Sequence, residues 1–173
     1  VDPCAIRYPS VFPMSESLSQ MRLCPRFRWY GGLESSWETS EAGAQQHLGR
    51  FLDKAVGTYD VDRDRPDYEG TSSLSPYLHF GHIGPRQVVE VLRKRCDLSK
   101  PGPQVFLKEI YWREFAYHVL YHFPHTPSVP LQFKYVGFPC EEDEDLLRRW
   151  QCGQTGYPII DAGMRQLWRT GWM

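Results

Sequence analysis

The stretch from Pro103 to Phe123 constrains this chain more than any other. Apolar or aromatic residues fall around nearly all of the circumference that a helix here would have: Phe106, Leu107, Ile110, Tyr111, Trp112, Phe115, Val119 and Leu120. At the usual rise per residue the helix is roughly 30 Å long. A helix that packs on one side shows one apolar stripe, so this pattern predicts burial on several sides and a central place in a larger helical assembly.

The remaining elements follow the same period. Thr39 or Ser40 can cap a helix whose first turn holds Glu41 and whose stripe is Ala44, Leu48, Phe51, Leu52 and Ala55, with Gly57 as its stop. Residues 58–75 read as a polar loop. Pro85 suits the first position of a helix with Val88, Val91 and Leu92 inward and Arg93, Lys94 and Arg95 at its end, where cations suit the dipole. Two further helices are expected, from about Asp143 to Cys152 and from Pro158 to about Thr170, stopped by Gly153 and Gly171. No alternating strand pattern of useful length and no internal repeat is visible. The fold class is all-α. Residues 1–38, broken by Pro3, Pro9, Pro13 and Pro25, read as an irregular linker that docks through Phe27, Trp29, Tyr30 and Trp37.

Composition narrows the function classes. With 173 residues and a net charge of -1 the chain is the size of one domain and is not globally basic. Contact with DNA would need a local cationic patch. Apolar runs fall far short of the roughly 20 residues that span a bilayer, so no membrane segment is expected. No signal peptide is visible. Five widely spaced cysteines without a CxxC pair argue against a disulfide framework and for a reduced, cytoplasmic or otherwise intracellular protein, nuclear or organellar in a eukaryote. His118 and His122 have chelating spacing, with His125 close by, but no nearby carboxylate or thiolate completes a set; no metal site is expected.

Two places can carry chemistry. The loop Gly70 to Leu78 gathers four hydroxyls (Thr71, Ser72, Ser73, Ser75) before an apolar stretch, which suits either a phosphate or a ligand-free capping loop. On the central helix, Glu109, Trp112, Arg113 and Ala116 stand at i, i+3, i+4 and i+7 and so share a face. They form either the floor of a pocket for a flat, hydrogen-bonding ligand or an internal ion pair beside a core tryptophan.

In order along the chain, Thr71 to Leu78, Gly84 to Gln87, Phe106 to Phe115, and Thr155 to Ala162 continuing through Thr170 to Met173 resemble the photolyase/cryptochrome family. The resemblance covers almost everything from about Arg26 onward and is greatest to the microbial cyclobutane-dimer photolyases. It implies a multi-helical FAD-binding domain over residues 39–173, incomplete at its C-terminal end, holding FAD in a folded conformation. By the same resemblance Tyr59, Thr71, Ser72, Ser73, Leu74, Ser75 and Phe106 belong to the flavin site, with residues 71–75 at the diphosphate. Glu109 and Trp112 are the catalytic pair that meets a flipped pyrimidine dimer, and Arg63, Arg113 and Ala116 share the DNA contact surface. The implied reaction is deoxyribodipyrimidine photo-lyase chemistry: light drives an electron from reduced FAD to the dimer, the cyclobutane ring splits, and the electron returns. The implied partner is DNA containing pyrimidine dimers, bound by a monomer, and an antenna chromophore is expected on a separate α/β domain preceding Val1.

Three departures from the family pattern bear on function. Ser73 stands where the family usually has Arg, removing a cation near the cofactor. Cys140 falls where the outermost tryptophan of the electron-transfer chain is common, which predicts weak flavin photoreduction by that route. The helix, acidic residues and further tryptophans that follow Met173 in the family are absent from the sequence, so the fragment alone is expected to be inactive and to hold FAD loosely. The alternative functions are a cryptochrome-type blue-light photoreceptor without repair activity and a truncated remnant without function.

Overall fold

Ser40 begins the first long helix, as its sequence suggests. Its hydroxyl accepts from the Gly43 N–H at 3.0 Å, meeting one of the donors that a helix start leaves bare. The computed structural model describes residues 10, 11, 13–17, 19–139 and 142–173. Among them the order is α1 (Gly31–Ser36), α2 (Glu41–Lys54), a 3-10 turn (Val56–Thr58), α3 (Tyr59–Asp62), α4 (Ser75–His79), α5 (Pro85–Arg95), α6 (Pro101–His122), a second 3-10 turn (Phe133–Tyr135), α7 (Glu144–Gln151) and α8 (Pro158–Thr170). No strand occurs among the described residues, and none of their helices is long and apolar enough to cross a membrane.

The core lies where α2, α3 and α5 meet the first half of α6. Leu48, Phe51, Val88, Leu92, Phe106 and Ile110 are buried there with Leu74 and Tyr77 from the loop and α4. Gly102 allows the closest approach. A Cβ at this position would run into the backbone carbonyls of Val56 and Gly57, so only glycine lets the start of α6 lie against the 3-10 turn. Around this core the ring of Tyr77 packs against His47 (centroids 5.2 Å) and Trp37 (5.8 Å).

The Tyr77 hydroxyl is buried and has no hydrogen-bond partner among the described residues. Removing a donor that is already unpaired relieves a desolvation cost. Tyr77→Phe should therefore leave stability unchanged or raise it by up to about 1 kcal/mol, read from urea unfolding; a loss larger than that would mean the hydroxyl is paired.

Three parts differ from the sequence reading. The segment read as irregular contains α1, held by tertiary packing rather than propensity. Gly32 sits against the Arg169 backbone, Trp29 stacks on Trp168 at 6.3 Å, and the Trp37 indole N–H donates to the Thr170 carbonyl at 2.6 Å. The expected docking of Trp29 and Trp37 is thus onto α8. The polar loop opens with the one-turn helix α3, because α2 ends at Lys54, earlier than Gly57 suggested, and Tyr59 turns inward. The third difference is α6. Only Gly102, Pro103, Phe106 and Ile110 are buried, whereas Trp112 is 62% and Tyr121 82% exposed. Burial on several sides is seen for its first half alone; beyond Ile110 the aromatic face has no covering element among the described residues.

At the other end, α7 and α8 form a small second layer. Asp161, in the first turn of α8, accepts from the Thr155 N–H and hydroxyl, both at 2.7 Å, and from the Gly156 N–H at 3.1 Å. Gly171 closes α8 in the left-handed conformation with φ 73°. The Thr155 hydroxyl bond, then the backbone bonds, hold the Asp161 carboxyl below its usual value against the opposing effect of burial. A depressed folded-state value means that the stabilisation is present above the unfolded value and is lost as pH falls through the folded one. Asp161→Asn should lower the melting temperature at neutral pH and remove that part of the acid-induced loss; equal pH dependence of variant and parent below pH 4 would refute the assignment.

Candidate functional site

The loop after α3 and the inner face of α6 bound two adjoining clefts that meet at Ser72. The larger, about 770 Å³, is lined by α2 and residues 63–73, with Gln166, Trp172 and Met173. The smaller, about 490 Å³, lies against α6 and is lined by Tyr59, Ser72, Leu74, Ser75, Phe106, Glu109 and Arg113 among others.

The loop is shaped by Ser73, whose φ of 51° places a non-glycine residue in the left-handed region. That conformation costs roughly 1–2 kcal/mol and must be held by its surroundings. Leu74, 2% exposed, anchors the next position in the core, and the Leu74 N–H lies 3.4 Å from the Ser72 hydroxyl. A left-handed step beside right-handed neighbours is the backbone pattern from which anion-receiving concavities are built. The sequence also suggested help from a helix start, but α4 has only five residues, so its dipole is small and the hydroxyls and amides remain.

At the smaller cleft, Tyr59 and Phe106 meet edge to face at 5.3 Å, with Phe51 behind Phe106 at 4.6 Å. Burial pushes the Tyr59 phenol up, partly opposed by the Arg63 charge. Phe106 is only 3% exposed and so presents no more than an edge to the cleft.

Glu109 does not pair with Arg113 along α6. Its Oε1 accepts from Arg63, whose guanidinium also lies over the Tyr59 ring at 5.4 Å. Arg113 instead bonds Glu114 at 2.7 Å and donates to the Tyr117 hydroxyl at 3.2 Å, over that ring. The internal i, i+4 pair, one of the two readings open from sequence, is not formed. The core-tryptophan part of it fails too: Trp112 stands exposed beside Phe115, with Ala116 open to solvent on the same face. The structure thus gathers Tyr59, Arg63, Ser72, Leu74, Ser75, Phe106, Glu109 and Arg113, places Thr71 and Ser73 at the larger cleft, and leaves Trp112 and Ala116 on the adjacent surface.

Several lining residues were missed by sequence reasoning. Arg50 and Lys54 stand one turn apart on the polar face of α2, where a helix fold explains charge without a ligand. His47 and Trp172 are placed by packing alone. Burial, then the Arg50 charge, lowers the His47 imidazole below its usual value. Cys140 lies outside the described residues. Among those residues no group of three metal-ligating side chains is found.

Comparison with known proteins identifies the class. Residues 106–173 match the model of the FAD binding domain of DNA photolyase. A deoxyribodipyrimidine photo-lyase of Agrobacterium fabrum is 39% identical over 99% of this chain and 36% of its own length. The crystal structure of a bacterial class III photolyase from Agrobacterium tumefaciens superposes with a TM-score of 0.87 at 40% identity, over 95% of this chain and 35% of that one. A Synechocystis cryptochrome gives a TM-score of 0.72 at 25% identity, over 80% and 30%. The chain belongs to the photolyase/cryptochrome family, within its helical FAD-binding domain. It spans about a third of the length of the relatives it matches.

Proposed function

We propose that this chain is the diphosphate-and-lesion side of a DNA photolyase that splits cyclobutane pyrimidine dimers in light. The observation that carries the reading is the junction at Ser72, where a hydroxyl-rich, anion-receiving loop adjoins a cleft walled by Glu109. A flavin dinucleotide fits this donor set. Thr71, Ser72 and the backbone of Ser73 to Ser75 would hold its diphosphate, with Tyr59 and the edge of Phe106 beside it. Bound FAD would supply light absorption and the transferred electron.

The chain's own part is orientation and electrostatics. Glu109 gives one oxygen to Arg63, which leaves the other to accept from a flipped base edge. Arg63 has donors beyond the one given to Glu109 and can meet a backbone phosphate. Trp112 offers an exposed indole plane for the lesion, and Arg113 and Ala116 extend the same surface. A dimer leaves the stack at less cost than an intact pair, so a plane outside the duplex selects for it, as in other enzymes that flip their target base. In this reading residues 1–38 are an interdomain linker, residues 39–173 are part of the helical domain, and an antenna pigment sits on another domain.

A cryptochrome-type photoreceptor is the second reading, favoured by the likeness to the Synechocystis cryptochrome. Blue-light repair of an oligonucleotide with a single cyclobutane dimer, assayed with the whole protein that carries this chain, separates the two. Repair is expected. A flavin-loaded protein that binds the dimer no better than undamaged DNA and leaves it intact would favour the photoreceptor.

A further inference from the structure

The larger cleft has a cationic wall that the loop sequence does not explain. Its charged lining residues are Arg50, Lys54, Arg63 and Arg65 against Asp64, Asp67 and Glu69. Most of these are already engaged. Arg65 bonds Asp67 at 2.8 Å, and Arg63 pairs with Glu109 and lies 3.7 Å from Asp64. Arg50 and Lys54 take part in no ion pair among the described residues. They stand at i, i+4 on α2, and so on one face, and line the same cleft as Thr71, Ser72 and Ser73. Arg50 and His47 line this cleft together, and the Arg50 charge helps to lower the His47 imidazole.

We infer that Arg50 and Lys54 form the cationic half of the diphosphate site, supplying from α2 the positive charge that Ser73 cannot supply from the loop. The inference rests on the reading of residues 71–75 as the diphosphate loop. The hydroxyls and amides of the loop meet one side of the anion, and the two α2 cations meet the other. Arg50 can engage two phosphate oxygens through its fork, and Lys54 acts as a compact point charge. Because both side chains reach solvent, their attraction is screened by salt. The site should therefore prefer ligands by phosphate content and lose that preference as ionic strength rises.

The test is equilibrium binding of FAD and of riboflavin, which lacks phosphate, to the flavin-free form of the whole protein that carries this chain, at low and high salt. Arg50→Ala with Lys54→Ala should weaken FAD binding by on the order of tenfold to a hundredfold at low salt. It should leave riboflavin binding and the melting temperature nearly unchanged and flatten the salt dependence. Arg50→Lys alone should retain most of the affinity. A double variant that binds FAD within twofold of the parent, while Thr71→Val with Ser72→Ala weakens it, would overturn the role of α2 and leave the loop reading standing. No difference between FAD and riboflavin for the parent protein, or no FAD binding by it at all, would overturn the loop reading and this inference with it.

Discussion

Phe106→Ala is expected to lower the unfolding free energy by about 3–5 kcal/mol, the range for emptying an aromatic site in a core. The ring is 3% exposed and stands between Phe51 at 4.6 Å and Tyr59 at 5.3 Å. Those two come from α2 and α3, so the substitution opens a hole where three elements meet. The glycine-tight start of α6 against the 3-10 turn limits how far the helix can slide to fill it. Against a typical total of about 5–15 kcal/mol, such a loss is a large share. Urea unfolding followed by tryptophan fluorescence and by circular dichroism should show a lower midpoint with both probes. Phe106→Leu, which keeps more volume, should cost about 1–2 kcal/mol. A Phe106→Ala variant within 1 kcal/mol of the parent would show that the ring is not a core element. The consequence for function is that any flavin contact of Phe106 cannot be separated from folding by truncation alone, because the same ring serves both.

The helices were legible where one local cause decides the backbone. Ser40, Pro85 and Gly171 each act through their own conformation or one nearby bond, and each marks a boundary of α2, α5 or α8. What escaped is what depends on a distant partner. α1 contains two adjacent glycines and exists because α8 lies beneath it. Phe106 to Leu120 looks like a buried helix in sequence, and a helical pattern does not say which of its turns α2, α3 and α5 will cover. In the site, the hydroxyl loop and the Glu109 face were readable from spacing. The partner of Glu109 was not: Arg113, four residues away, satisfies the helical rule, whereas Arg63, 46 residues away, makes the bond. The choice between them is made by α3 packing against α6, a tertiary event with no local signature. Arg50 and Lys54 were hidden for a related reason, since cations on the polar face of an amphipathic helix are ordinary until the opposite wall is known.

Trp112→Ala is expected to weaken binding of dimer-containing DNA by roughly tenfold to a hundredfold, the effect of removing one stacking platform worth about 1–3 kcal/mol. The two functional readings make different demands on this residue. As an exposed indole, 62% accessible and touching Phe115 edge to face at 5.6 Å, it contributes little to the core. Its loss should change folding stability by no more than about 0.5 kcal/mol. The affinity for undamaged duplex rests on phosphate contacts and should hardly move. A residue kept only for packing would show the opposite pattern, with stability lost and damaged and undamaged DNA affected alike. Trp112→Phe should recover part of the discrimination because it preserves a stacking face. Glu109→Gln tests the adjoining wall by another route. The amide still accepts one hydrogen bond, but it removes the charge that holds Arg63, so lesion binding should fall along with the anchoring of Arg63 over Tyr59. Fluorescence anisotropy on matched damaged and undamaged duplexes, in the protein that carries this chain, measures all three variants. If Trp112→Ala leaves the ratio of the two affinities unchanged, the exposed tryptophan is not the lesion platform and the repair reading loses its principal contact.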